Sequence, residues 1–489
     1  MPRPASPSLS ERYQETTKYT PQSIQGHPGL DFSAQPSAFK DWYQARRVVL
    51  AAGRETPDDP VPGPLDAARL GRLLLHTYGV TLVREFPGMS MHYRAAPSAG
   101  GLYPTELYVA VRDVEGIPDG IFAYDARDHS LVVCWEGDFT TDLRRYAFDH
   151  PAVRDARAVL IGTGVYQRSA WRYGDRAYRR VLLDAGHVFG NAVQAAVPDG
   201  QRAIPIPYFL DDGVADLLLL DRQREGALLM AAVLDAPVDA AMHAPRPVRS
   251  SVERAPEDPA DGTWIAAVHA AGCLDAALDP RPPAPRHDGA TPLADPVPLP
   301  ADALAGGRCV HTAIRKRRST RIFTPSDMPL EALGRILGHA YPGAGAAEPP
   351  ALLLPEHLET YVVAAGIVGL EAGVYRYQPD EHVLHLLVRG NPREALHRCC
   401  LWQELGRDCA FAVVHAIDLP RAIDALGERA YRTAHLDAGL IGQRLNMAAL
   451  RLGYGASGIG GFFDEFLNAL LLLPPQYAIA YVTTIGVPA

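Results

Sequence analysis

Three short strings in this chain hold residue types that could do chemistry. The first runs Arg94-Ala95-Ala96-Pro97-Ser98-Ala99-Gly100-Gly101-Leu102-Tyr103-Pro104. Proline stiffens such a loop, serine offers a hydroxyl, and two glycines let backbone approach a flat ligand closely. The second is Arg315-Lys316-Arg317-Arg318-Ser319-Thr320-Arg321. A guanidinium fork suits a phosphate, and Ser319 adds a neutral donor. The third is Gly458-Ile459-Gly460-Gly461-Phe462-Phe463-Asp464-Glu465, whose glycines free backbone N–H groups to face a ring or a phosphate. Each has a plain alternative: an ordinary turn, a solvated basic patch, and a tight turn after a helix.

The elements that carry these strings occur twice. YRRVLLDAGHVFGNAVQAAV from Tyr178 matches YRTAHLDAGLIGQRLNMAAL from Tyr431. At the same offset, GIFAYDARDHSL from Gly120 pairs with GVYRYQPDEHVL from Gly373, and LYVAV after Glu106 pairs with TYVVA after Glu359. Upstream, GRLLLHTY from Gly71 pairs with GRILGHAY from Gly334 at a longer offset, so the second copy is shorter between Tyr341 and Tyr361. An offset held over three separated segments points to a tandem duplication. Each copy reads as helix, strand, hairpin, strand, long helix and closing strand, which is an α+β pattern. The expected division is a first repeat over residues 1–235, a Pro/Ala-rich linker over 236–260 and a second repeat over 261–489.

The copies have kept different strings. Opposite Arg317–Arg321 the first copy has Arg54-Glu55-Thr56-Pro57-Asp58, and opposite Gly458–Gly461 it has Pro205-Ile206-Pro207-Tyr208. Opposite Pro97–Gly101 the second copy has Pro350-Ala351-Leu352-Leu353-Leu354. One copy thus retains the first string and the other retains the second and third. Random decay rarely sorts motifs so cleanly. The pattern predicts two halves packed as an intrachain pseudodimer around one composite site.

Composition narrows the classes. The chain has 489 residues, 47% hydrophobic and 21% charged, with a net charge of −9. That balance argues against a general nucleic-acid binder. No stretch approaches the roughly 20 apolar residues of a membrane span, and the amino terminus lacks a signal-peptide core. A cytoplasmic protein is expected. The six cysteines form no CxxC pair, so neither a zinc site nor a disulfide framework is expected, and no metal site is anticipated. Only Lys18, Lys40 and Lys316 are lysines.

Taken together, RxxPSAGGLYPTELYV and GIGGFFDE resemble the nitroreductase superfamily, most of all its azoline dehydrogenase branch, which oxidises thiazoline or oxazoline rings in peptide natural products. The resemblance spans both repeats. It implies an α+β fold and FMN held between two halves. One half would supply Pro97, Ser98, Ala99, Gly100 and Gly101. The other would supply Arg317, Arg318, Ser319, Arg321, Gly458, Ile459, Gly460 and Gly461. It also implies a modified precursor peptide as substrate, a cyclodehydratase complex as partner, and dioxygen as the oxidant that recycles the flavin. Members of that branch carry a Lys-Tyr pair before a G/K-x-R-x-Y-R string. Here Arg172-Tyr173 precedes Gly174-Asp175-Arg176-Ala177-Tyr178-Arg179, so tyrosine is kept and lysine is Arg. Arginine stays protonated and cannot be a base, but Arg172 could lower the pKa of Tyr173 as a neighbouring cation. Surface and packing roles at a helix start are the alternative for both. His187 reads as helix packing rather than a base. Two other readings stay open: a different FMN-dependent oxidoreductase acting on a carrier-bound or small-molecule substrate, and a non-catalytic flavin- or peptide-binding scaffold subunit.

Overall fold

A computed structural model describes residues 7–25, 29–51, 60–87, 89–237, 258–260, 262–276, 289–300, 309–341 and 357–489. The expected linker 236–260 and the segments Arg54–Asp58 and Pro350–Leu354 fall largely or wholly outside these residues.

Two antiparallel sheets repeat one order. In the first, strands run Arg47–Val49, Ser130–Glu136, Gly120–Asp125, Thr105–Val111, Ala158–Val165, Glu225–Asp235 and Gln201–Ile206 from edge to edge. In the second, Val383–Arg389, Gly373–Gln378, Leu358–Ala364, Phe411–Asp418 and Tyr477–Pro488 take the corresponding places, and Gly455–Ile459 pairs with Tyr477–Pro488. The register carries the repeat into space. Ile206 lies opposite Met230, and Ile459 lies opposite Val482. Pro205 therefore stands in an edge strand, where its missing N–H costs no ladder bond. Among the described residues, no helix is long and apolar enough to cross a membrane. The cysteines are free thiols, three of them buried.

The long helices Ala177–Ala196 and Arg429–Arg451 pack on each other at the centre, with nearly every residue buried. Glycine permits the contact. A Cβ on Gly186 would stand 2.2 Å from the Leu436 carbonyl oxygen, and one on Gly439 would stand 2.3 Å from that of Leu183. Four arginines then lock the halves across this seam. Arg176 and Arg179 donate to Asp464 of the second repeat, while Arg429 and Arg432 donate to Asp211 of the first. Burial raises each carboxyl, yet the paired guanidinium groups outweigh it and hold both below the usual value.

Two arms cross between the halves. Helix Leu9–Thr16 begins at a capping box on Ser8 and docks on the second repeat, where the Glu428 carboxylate accepts from the N–H groups of Leu9 and Ser10. Helix Trp264–Ala271 makes the mirrored contact, with the His269 ring against the Tyr178 hydroxyl and its carbonyl accepting from Arg432. Residues assigned by sequence to one repeat thus pack against the other.

Candidate functional site

The glycine-rich loop of the first repeat is a short turn at Ala99–Gly101, with Gly100 and Gly101 at φ +67° and +68°. Such φ values favour glycine. The Ser98 Oγ accepts from the Tyr103 N–H at 2.8 Å, so its own proton goes to Asp184 at 2.5 Å. The Ala99 N–H also points at Asp184, 3.2 Å from one oxygen. The loop is thereby tied to the central helix of its own repeat. From the other repeat, strand Gly455–Ile459 brings in Gly458 and Ile459, and Gly460 and Gly461 follow as the chain turns into helix Asp464–Leu470.

Between these parts lies a cavity of about 510 Å³, well within the range of cofactor and ligand sites. Pro97, Ser98, Ala99 and Gly100 line one side, with Arg172 and Tyr173 beside them. Ser319, Arg321 and Gly458 to Gly461 line the opposing side, from the second repeat. The central helix contributes Arg180, Leu183, Asp184 and His187, and the amino-terminal arm closes one end with Tyr19 and Ile24. Leu401, Gln403 and Tyr481 complete the wall. The cavity is thus built from both repeats.

The structure places several of the expected residues differently. Arg317 and Arg318 do not line the cavity. Arg317 is buried and donates to the carbonyls of Ala95 and Arg94, at 2.9 and 3.2 Å, bracing the base of the first repeat's loop. Arg318 turns to Thr81 Oγ1 and to local carbonyls. Gly101 is absent from the wall as well and serves the turn through its positive φ. Arg172 and Tyr173 end the helix Tyr166–Tyr173 rather than beginning one, with Gly174 as the cap at φ +54°. Burial raises the Tyr173 pKa. Arg172 does act to lower the phenol, as Arg180 does more strongly, but burial outweighs both. The Arg180 guanidinium stacks 3.8 Å above the Tyr173 ring, and that of Arg172 lies 5.7 Å away.

Several lining residues escaped the sequence reading. Asp184 entered it only as a marker of the repeat. Burial pushes its carboxyl up to about 7, despite hydrogen bonds from Ser98 and Ala99. His187 is part of a directed network. Gln443 Nε2 donates to Asn191 Oδ1 at 2.6 Å, so its Oε1 accepts from His187 Nδ1–H at 2.8 Å. His187 Nε2 then accepts from the Tyr481 hydroxyl at 2.8 Å. Burial pulls His187 down to about 4, which keeps the ring neutral at pH 7. Tyr481 explains Gly458, because a Cβ there would lie 1.7 Å from the phenol oxygen.

The opposite half offers a built-in comparison. At the repeat offset, Arg172, Tyr173, Arg180 and His187 correspond to Ala425, Leu426, Thr433 and Leu440. Tyr481 lies opposite His415 and Leu229 lies opposite Gly162, so Leu229 takes the place of Tyr481. The polar lining is thus carried by one of the two pseudosymmetric positions. These polarity differences between aligned copies were a signal already present in the sequence.

Comparison with known proteins follows the same division. The family model described as Nitroreductase family matches twice, over residues 62–234 and 314–487. A crystal structure from Anabaena variabilis, of a protein classed as a nitroreductase, is 34% identical with a TM-score of 0.87, covering 99% of this chain and 100% of that one. A protein of Methanocaldococcus jannaschii, also classed as a nitroreductase, is 34% identical over 155 residues, which are 32% of this chain and 75% of that protein. The trifolitoxin-processing protein TfxB of Rhizobium leguminosarum bv. trifolii is 31% identical over 152 residues, 28% of this chain and 38% of its own length. The chain therefore matches less than half of TfxB.

Proposed function

The chain belongs to the nitroreductase family, and on that premise we propose that it is an FMN-dependent dehydrogenase that oxidises azoline rings to azoles in a modified peptide. The observation that carries the flavin reading is the composite cavity, walled by the glycine loop of one repeat and by Ser319, Arg321 and the Gly458–Gly461 segment of the other. The residues suit the cofactor. Arg321 is exposed at the rim with no ion pair among the described residues, which fits a phosphate. Gly460 leaves backbone open towards the cavity, where a Cβ would meet only the Arg180 side chain at 3.6 Å, while Gly458 makes room for Tyr481 in the same wall. Bound FMN would supply a two-electron acceptor that takes hydride from the substrate carbon.

The chain's own part is to hold the ring and take a proton. A phenol raised above its ordinary value of about 10 is almost wholly protonated at neutral pH, whereas a general base works best near the operating pH. Asp184, near 7, is therefore the proton acceptor, and Tyr173 keeps its proton and acts as a donor that orients the substrate. The peptide substrate and a cyclodehydratase partner follow from the resemblance, and the likeness to the trifolitoxin-processing protein TfxB supports the peptide-processing part of that reading. Arg172 in place of the branch's lysine favours a second reading, a different FMN-dependent oxidation or reduction of a carrier-bound or small molecule.

The test is stoichiometric and then chemical. Protein reconstituted with FMN is denatured and the released flavin is counted against chain. One FMN per chain is expected. A ratio near two would sink the single-site reading, and a ratio near zero would favour the scaffold. Anaerobic bleaching of the flavin band by an azoline-containing peptide, and not by its azole product, then separates the first reading from the second.

A further inference from the structure

Arg180 sits in the wall of the cavity with only 5% of its surface exposed, yet it has no ion pair among the described residues. Its neighbours on the helix differ: Arg176 and Arg179 both meet Asp464. The Arg180 Nη1 finds no acceptor, and Nη2 makes one long contact, 3.4 Å from the Tyr19 hydroxyl. The carboxylate one turn on, Asp184, is already engaged by Ser98 and Ala99. Asp184 attracts Arg180 across space but forms no ion pair with it among the described residues. A buried guanidinium without a hydrogen-bonded carboxylate is costly to a fold, and an unsatisfied buried donor calls for an explanation.

Its placement supplies one. The guanidinium carbon lies 3.8 Å over the centre of the Tyr173 ring. The glycine segment of the other repeat lies alongside, where a Cβ on Gly460 would be 3.6 Å from Nε and one on Gly461 would be 3.9 Å from Nη2. The pseudosymmetric position is Thr433, so the cation belongs to the polar half alone. A planar fork of N–H donors best matches an sp² oxygen.

We propose that Arg180 is a binding residue of this cavity, donating hydrogen bonds to a carbonyl or carboxylate oxygen of its occupant. The inference rests on the proposed function in taking the cavity as the flavin and substrate site. The oxygen belongs either to the flavin ring or to the substrate, and two probes tell them apart. FMN is titrated into apoprotein by flavin fluorescence. Sodium benzoate, a planar carboxylate, is titrated by calorimetry into both the apoprotein and the FMN-loaded protein. Arg180→Gln, which keeps the length and polarity of the side chain, is compared with wild type and with Arg180→Lys.

Loss of about tenfold to a hundredfold in FMN affinity, the effect of one charge-assisted hydrogen bond, assigns the oxygen to the flavin. The same loss for benzoate alone assigns it to the substrate. Arg180→Lys should fall between the two proteins, because it keeps the charge and lacks the fork, and it stands in if the Gln variant does not fold. A folded Arg180→Gln with both affinities unchanged overturns the inference while leaving the flavin reading intact. A wild type that binds benzoate but not FMN removes the flavin reading and leaves Arg180 to be judged on benzoate. Binding of neither probe overturns both.

Discussion

The Arg179 guanidinium donates to Asp464 of the opposite repeat, Nη1 to Oδ1 at 2.7 Å, with both side chains buried. Its counterpart across the pseudosymmetry is Arg432 with Asp211, at 2.5 Å. Removing one partner of such a pair strands the other charge, at a cost of about 3–5 kcal/mol. Asp464→Ala and Asp211→Ala should therefore lower stability by similar amounts in denaturant titrations. Only Asp464 also holds the cavity's arm, through the Tyr19 N–H and Gln14. Asp464→Ala alone should weaken FMN binding, and equal losses from both variants would place the flavin elsewhere. The folded carboxyl of Asp464 lies below its unfolded value, so its stabilisation is complete above about pH 4 and is lost as pH falls through the folded value. Acid unfolding of Asp464→Asn should accordingly be less steep than that of the wild type.

Arg321 and Arg317 should separate under mutation although they share one string. Arg321→Ala removes a free cation at the rim and is expected to weaken FMN about tenfold to a hundredfold with little change in melting temperature. Arg317→Ala leaves the carbonyls of Ala95 and Arg94 without their donor. Its main effect should be a loss of about 1–3 kcal/mol in stability. The reverse pattern in flavin titration and thermal melts would return Arg317 to the phosphate.

Asp184 and Tyr173 predict different pH behaviour. With Asp184 as base, turnover should rise with pH around a midpoint near 7. Asp184→Asn should abolish that limb and lower the rate on the order of 10²–10⁴. Tyr173→Phe should keep the midpoint and change the rate less. Loss of the pH limb in Tyr173→Phe instead would restore the phenol as base. Stability gives an independent sign. The folded Asp184 binds its proton more tightly than the unfolded chain does, so its contribution falls as pH rises from about 4 to 7. Asp184→Asn should flatten that part of the stability profile.

His187 and Tyr481 should behave as one unit. His187→Leu leaves the Tyr481 hydroxyl and Gln443 Oε1 without partners, at a cost of about 1–3 kcal/mol for each buried group. Adding Tyr481→Leu installs the pair found in the other half, Leu440 and Leu229, and should cost less than the sum of the single changes. A double-mutant cycle reads the coupling directly. Strict additivity would show that the hydrogen bond contributes nothing.

Much of the architecture was legible in the chain. The constant offset exposed the duplication, because homologous helices and strands keep their apolar periodicity through divergence. Sorting of the three strings between copies pointed to one composite site. Ser98, Gly100, Ser319, Arg321 and the Gly458–Gly461 segment do reach one cavity, because each motif's chemistry depends on local backbone and short-range spacing. What only the tertiary structure decided is where a long side chain finds its partner. Arg317 and Arg321 are four positions apart, yet one turns inward to carbonyls of the other repeat and the other stays at the rim. Asp184 and Arg180 share one helix with Arg179, and Arg176 caps its start, yet their environments differ through groups that arrive from distant sequence: Ser98, Asp464, Tyr19 and Gly460. Burial and charge pairing are set by such neighbours, which no spacing along the chain encodes.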